Sequence, residues 1–180
     1  MGLFDNVQKP TGEVAEAPEF KELTSGIYDA VLQMALVGKS DKGALWIELH
    51  YTLPTQGNLK VHKREYISKQ TGELVYQKDG KQFFLPGYEY TDRMIRMISQ
   101  QFTLGQVLAD EAKYLQPIKY QRRDFKTKQD VTEDGVAIVA LHNKPCRIAL
   151  LCAKVNKQAR NEATGEYYDI NDSYVERRIV

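Results

Sequence analysis

Ala44-Leu45-Trp46-Ile47-Glu48-Leu49-His50-Tyr51-Thr52-Leu53 alternates without a break, with Leu45, Ile47, Leu49, Tyr51 and Leu53 on one side and Trp46, Glu48, His50 and Thr52 on the other. Successive side chains of an extended chain point to opposite faces. Strict period two therefore reads as a half-buried strand with one face in a core. The non-core face carries the only tryptophan of the chain. An exposed ring there is a platform for an unpaired base. A slip of one residue in register buries it instead, so both readings of Trp46 stand at this point.

Working outward, residues 26–37 carry apolar groups of both parities (Ile27, Val31, Ala35 and Val37 against Tyr28, Leu32, Met34 and Leu36), which predicts a long, curved, well-buried strand. Downstream of the Gly57-Asn58 turn, residues 59–68 read as a third strand with Lys60, His62, Arg64 and Tyr66 on one side. Asp79-Gly80 between the extended runs 73–78 and 81–85 predicts a hairpin excursion that contains Tyr76, Phe83 and Phe84. Pro86-Gly87 closes that excursion, and Thr91 is the expected cap of a helix carrying Met94, Ile95 and Ile98 inward. Thr103 is expected to start a second helix over 104–114. Residues 117–128 read as another excursion, hairpin-shaped around Asp124, followed by a polar turn over 130–135 and an apolar run over 136–141. Two strands, 146–155 and 167–180, flank a turn at 161–165.

The order is β, β, β with an insert, helices, β, β. It predicts an all-β dominated chain and matches the OB-fold: a five-stranded Greek-key barrel with β-hairpin excursions and one or two short helices between strands 3 and 4. Residues 1–20 hold Pro10, Pro18, Gly12, Glu13, Glu16 and Glu19 with few large apolar groups, and read as a flexible N-terminal lead-in to a single domain over 21–180.

Of the 180 residues, 42% are hydrophobic and 27% charged, the composition of a soluble globular protein. The formal charge of +1 conceals an asymmetry: residues 27–160 hold 21 Lys+Arg against 14 Asp+Glu, while the flanks hold 4 against 10. The basic middle is densest at Lys119-Tyr120-Gln121-Arg122-Arg123-Asp124-Phe125-Lys126-Thr127-Lys128, five cations and two aromatics in ten residues. Cations attract a phosphate backbone and aromatic faces stack unpaired bases, a pairing that suits single-stranded nucleic acid. Tyr120 and Phe125 either fold onto the base of their own hairpin or form a finger over the strand, with Arg122, Arg123, Lys126 and Lys128 toward phosphates. Lys119 and Lys154 join the candidate nucleic-acid-binding residues.

An enzyme needs a constellation of groups, and the chain has no phosphate-binding glycine loop, HExxH or GxSxG. The adjacent pairs Asp110-Glu111 and Glu133-Asp134 suit a metal nuclease only if their side chains converge, and neighbouring side chains diverge. No catalytic residue, metal site or cofactor is therefore expected. His50, His62 and His142 lack metal-ligand spacing; His50 and His62 are read either as surface groups or as partners for a phosphate or base. Arg93 and Arg96 are assigned no role. Cys146 and Cys152, six residues apart on one strand, lie about 20 Å apart and cannot pair, which predicts reduced thiols and a cytoplasmic setting. The opening residues Met1 to Asn6 have neither the basic region nor the apolar run of a secretory leader, and no apolar stretch approaches a membrane span.

A further pattern runs through the chain. Ser25-Gly26-Ile27-Tyr28 opens the first strand, Leu85-Pro86-Gly87-Tyr88 precedes the helix and Leu104-Gly105 starts the next. Leu141-His142-Asn143-Lys144-Pro145-Cys146-Arg147-Ile148 enters the fourth barrel strand, and Lys154-Val155-Asn156-Lys157 leads to the closing loop. In order and spacing, over residues 21–180, this resembles the single-stranded-DNA-binding proteins of tailed bacteriophages. The resemblance implies an OB-fold that coats single strands without sequence preference during replication, recombination or repair, in the host cell cytoplasm and without catalysis. It also implies other replication proteins as partners. Family members often recruit these through an acidic tail, whereas this chain ends Arg177-Arg178-Ile179-Val180, with only Asp169, Asp172 and Glu176 nearby. A second class stays open: an OB-fold adaptor in a replication complex, using its eleven tyrosines as interface anchors. No oligomeric state is read from the sequence.

Overall fold

The computed structural model describes residues 23–124 and 126–180; the expected lead-in over 1–20 lies outside the described residues, as does Phe125. The chain is mostly β, built on one large antiparallel sheet. Its strands are β1 (Gly26–Lys39), β2 (Leu45–Leu53), β3 (Leu59–Tyr66), β6 (Leu115–Arg123), β7 (Asp130–Ile138), β8 (Lys144–Arg160) and β9 (Tyr167–Ile179). A separate hairpin joins β4 (Val75–Lys78) to β5 (Lys81–Phe84). Three helices, α1 (Pro86–Ser99), α2 (Leu104–Ala109) and α3 (Glu111–Tyr114), lie between β5 and β6.

β1 is shared by three neighbours. One edge pairs with β2 from Val31↔Thr52 to Lys39↔Leu45. The opposite edge pairs with β8 from Gly26↔Leu150 to Leu32↔Lys144, and farther along with β7 at Leu36↔Ala137 and Val37↔Val136. Between these two ladders, three β1 residues (33–35) face six residues (138–143), which coil into a 3-10 turn at Val139–Leu141. The β1–β2 register shifts between Leu32 and Met34 at the same place. Such an irregularity bends a strand and strengthens its twist.

The even–odd reading of β2 holds. Ile47, Leu49, Tyr51 and Leu53 are buried together with Ala30, Leu32 and Ala35 of β1, Ile148 and Leu150 of β8 and Ile179 of β9. The helices cover this face through Tyr88, Met94, Ile95, Leu104 and Val107. At the open side of the sheet β3 and β9 face each other with no ladder between them among the described residues. Lys63 spans the gap: its ammonium donates to the Ile179 carbonyl at 2.8 Å, sits 3.7 Å from the Tyr90 ring centroid and pairs with Glu65 at 3.3 Å. Beyond Leu150, where β8 leaves β1, β8 and β9 continue as a two-stranded ribbon exposing Tyr167, Tyr168 and Tyr174.

Several local expectations are corrected. The first helix begins at Pro86, not at Thr91, because proline has a preset φ and no N–H to lose at a first helical position. Thr91 is instead buried mid-helix, and Asp92 accepts from Leu104 N at 2.8 Å. Thr103 caps the next helix as expected, in a reciprocal box with Gln106. That helix stops at Ala109, because the Asp110 carboxylate accepts from Lys113 N and starts a new turn, so three short helices replace one or two. Residues 130–135 are not a turn: they are the start of β7, in unbroken register with β6 from Arg123↔Asp130 to Leu115↔Ile138. The turn of that hairpin is held by Asp124, whose carboxylate accepts from Lys126 N and Thr127 N at 2.6 and 2.9 Å. Asp79 and Gly80 have φ of 52° and 72°, the left-handed pair that a two-residue hairpin needs. Cys146 and Cys152 are both free thiols. No helix among the described residues is long and apolar enough to cross a membrane.

Replacing Lys63 by Met keeps the apolar stem but leaves the Ile179 carbonyl without its charged donor. Urea unfolding of Lys63→Met is expected to show a loss of about 1.5–3 kcal/mol, the worth of a hydrogen bond to a charged group.

Candidate nucleic-acid interface

Directly paired residues of antiparallel strands point to the same side of a sheet. From β2 to β3 the pairs Trp46↔Tyr66, Glu48↔Arg64, His50↔His62 and Thr52↔Lys60 therefore share the non-core face. From β2 to β1, Gly38, Leu36 and Met34 lie beside Trp46, Glu48 and His50. Leu36↔Ala137 carries the same face into β7, and Tyr120↔Glu133 and Arg122↔Val131 carry it into β6. Strands β3 and β6 stand at the two ends of the path β3-β2-β1-β7-β6, yet both line one cleft of about 480 Å³ with β1 and β2. The sheet is thus curled so that this face is concave.

Eight of the residues singled out in the sequence stand on this face: Trp46, His50, Lys60, His62, Arg64, Tyr66, Tyr120 and Arg122. Lys119 and Arg123 alternate to the other side of β6, opposite Asp134 and Asp130, although Lys119 reaches the rim of the cleft. Lys126 and Lys128 are exposed in the hairpin turn, and Phe125 lies outside the described residues. Two further candidates lie on other elements, away from the face. Tyr76 belongs to the separate β4–β5 hairpin, with its ring 5.8 Å from that of Phe83. Lys154 lies on the β8–β9 ribbon opposite Val175, beyond the end of β1.

Trp46 takes neither extreme. It is half-buried, and its six-membered ring occupies the space above Gly38, where a Cβ would come within 2.3 Å of Cζ2. The Arg64 guanidinium lies 4.2 Å from the ring centroid. A strand glycine thus gives the indole a seat, and a cation covers it.

Glu48, to which the sequence reading gave no role, organises the middle of the face. It is 9% exposed, and it accepts from Arg64 Nε at 2.5 Å while its other oxygen is 2.7 Å from His50 Nε2. His50 in turn stacks on His62 with centroids 5.7 Å apart. Burial alone would raise the Glu48 pKa, but the His50 hydrogen bond and the Arg64 charge outweigh it and bring it down to about 2. The signal was present in the alternation, a carboxylate between Trp46 and His50, but its partner is sixteen residues away.

A second carboxylate does the same work on β6–β7. Tyr120 lies against Gly135, where a Cβ would be 2.9 Å from its ring, and its hydroxyl donates to Glu133 at 2.8 Å. Burial, then that hydrogen bond, raise the Tyr120 pKa. Arg122 is 3.8 Å from Glu133, and Lys119 3.5 Å from Asp134. The adjacent carboxylates Glu133 and Asp134 thus diverge to opposite faces, each against its own cation. Exposed pairs of this kind contribute about 0–1 kcal/mol, so neither Arg122 nor Lys119 is held tightly by its carboxylate. His50, His62 and His142 all line the cleft, while no metal-holding group of His, Cys, Asp or Glu occurs among the described residues. Comparison with protein-family models, curated proteins and solved structures finds no match.

Two outcomes check this geometry. In Gly38→Ala the new methyl displaces the indole; overpacking costs about 1–3 kcal/mol, and tryptophan emission shifts to the red. The folded pKa of Glu48 lies below its unfolded value near 4.5, so its contribution to stability is complete above that value and is lost as pH falls toward about 2. Urea unfolding across that acid range is expected to give a shallower pH dependence for Glu48→Gln than for the native chain.

Proposed function

We propose that this chain is an OB-fold protein that binds single-stranded DNA along the concave face, coating single strands without sequence preference during replication, recombination or repair in the host cytoplasm. Its job on this reading is binding, not catalysis. The single observation that carries it is the meeting of aromatic and cationic side chains from distant segments on one concave face: Trp46, Arg64 and His62 from β2 and β3, Tyr120 and Arg122 from β6. Rings offer stacking surfaces to unpaired bases, and the arginines and Lys60 offer charge to the backbone between them.

The sheet order supports the barrel reading. β3-β2-β1-β8-β9 is the order of an OB barrel opened between its third and fifth strands, and Lys63 bridges that opening. The helices fall between the third and fourth barrel strands, with β4–β5 and β6–β7 as the excursions. A second reading, an adaptor that binds another replication protein, is favoured by Tyr167, Tyr168 and Tyr174, which are exposed on the β8–β9 ribbon away from the face.

Titration of fluorescent oligo-dT tests the first reading. With three or four phosphates neutralised, raising salt from about 50 to 200 mM weakens binding about 20- to 50-fold, at a slope of about 0.7 per phosphate on single strands. Arg122→Glu combined with Arg123→Glu is expected to weaken binding tenfold or more, whereas an adaptor interface on the ribbon keeps its affinity. Absence of oligo-dT binding at low salt would overturn the proposal.

A further inference from the structure

The cleft on the concave face is more than a stretch of charged track. Its walls are two ring systems held in place from behind. On the β2–β3 side His62 stacks on His50, and His50 is fixed by the carboxylate of Glu48. On the β6 side Tyr120 is seated on Gly135 and tied by its hydroxyl to Glu133. Met34 at the register shift of β1 also lines the cleft, Gln33 and Thr52 add an amide and a hydroxyl, and Gln121, which alternates with Tyr120 along β6, adds an amide at its edge. His142 closes one part of the wall, where burial pushes its imidazole below the ordinary range and so favours the uncharged form at neutral pH. Lys60 and Lys119 are the cations of the lining, on opposite strands.

We infer that this cleft is a slot for one base turned out of the strand, held between the His62 and Tyr120 rings while the phosphates on either side meet Lys60 and Lys119. This deepens the single-stranded-DNA reading and rests on it. A groove that recognised only phosphates has no use for preorganised rings or for uncharged donors and acceptors in its lining. A base needs both, a face to stack on and polar groups for its edge. A cleft of about 480 Å³ lies within the range of small-ligand pockets, roughly 300–1,000 Å³. Amides and a hydroxyl can each donate or accept, so they satisfy the edge of any base and leave binding tolerant of sequence.

Filling the slot tests the inference without touching a cation or a ring. Gln33→Trp and Thr52→Trp place bulk in the cleft from two different strands, and Gln33 is exposed at the register shift, where a larger side chain does not disturb the core. Anisotropy titrations with oligo-dT at low salt are expected to show both variants, folded by circular dichroism, binding about tenfold or more weaker, the loss of roughly one base–aromatic stack. Nuclear magnetic resonance provides a second readout: thymidine monophosphate is expected to shift the ring resonances of His62 and Tyr120, and deoxyribose 5-phosphate to leave them in place. If the native chain binds oligo-dT and the filled variants bind equally well, the slot is overturned and the phosphate track stands. If thymidine monophosphate and the sugar phosphate give the same shifts, the slot is likewise overturned. Failure of the native chain to bind oligo-dT removes both readings together.

Discussion

One edge of β1 cannot be satisfied by a single neighbour. Its first seven residues bond to β8 and its far end bonds to β7, with a coiled insertion where the one strand gives way to the other. Every other element takes its place from that division. β8 carries β9 toward β3 and wraps one face of the sheet around the apolar core. β7 carries β6 to the opposite side and curls the other face into a cleft. The same strand therefore builds a core on one side and a concave, cleft-bearing face on the other, which is why it is apolar in both parities. Leu36 and Ala137 are buried, but outside the main core cluster, on the face that Tyr120 shares.

Carboxylates set the character of that concave face. Glu48 and Glu133 sit where a purely electropositive groove would have none, and each holds a cation and an aromatic group. The arrangement restrains the rotamers of the side chains it holds, and it lowers the net charge of the face. Glu48 is nearly buried and remains ionised, because its hydrogen bonds favour the charged form. Ring geometry and charge are set together on this face. Arg64 illustrates the point: bonded to Glu48, it still lies over the Trp46 ring.

The two hairpin excursions differ in what they do for the face. β6–β7 is an extension of the main sheet, so its aromatic and cationic residues inherit the alternation of β1. β4–β5 pairs only with itself. Its Phe84 stacks on Tyr88 of the first helix with centroids 4.4 Å apart, which directs the hairpin to the helix rather than to the cleft.

Local periodicity and turn chemistry made much of this chain legible. The alternation over 44–53, the Asp79-Gly80 hairpin, the Thr103 cap, the turn at Asp124 and the inability of Cys146 and Cys152 to pair all follow from residues close together in sequence. The limits have equally physical causes. Pro86 reads equally as the end of the excursion and as a first helical residue, and the packing of Tyr88, Met94 and Ile95 on the core accompanies the helical choice. Residues 130–135 look like a polar turn because one of their faces is open to solvent; pairing with β6 makes them a strand. The seat of Trp46 on Gly38, the Glu48 bridge to Arg64 and the sharing of one cleft by β3 and β6 arise from cross-strand neighbours many residues apart. Chain sequence alone thus determined most of the segments that extend, several of the turns between them, and which segments carry rings and charge. Tertiary structure decided which of those groups meet, because register and sheet curvature depend on hydrogen bonds between strands that no local pattern encodes.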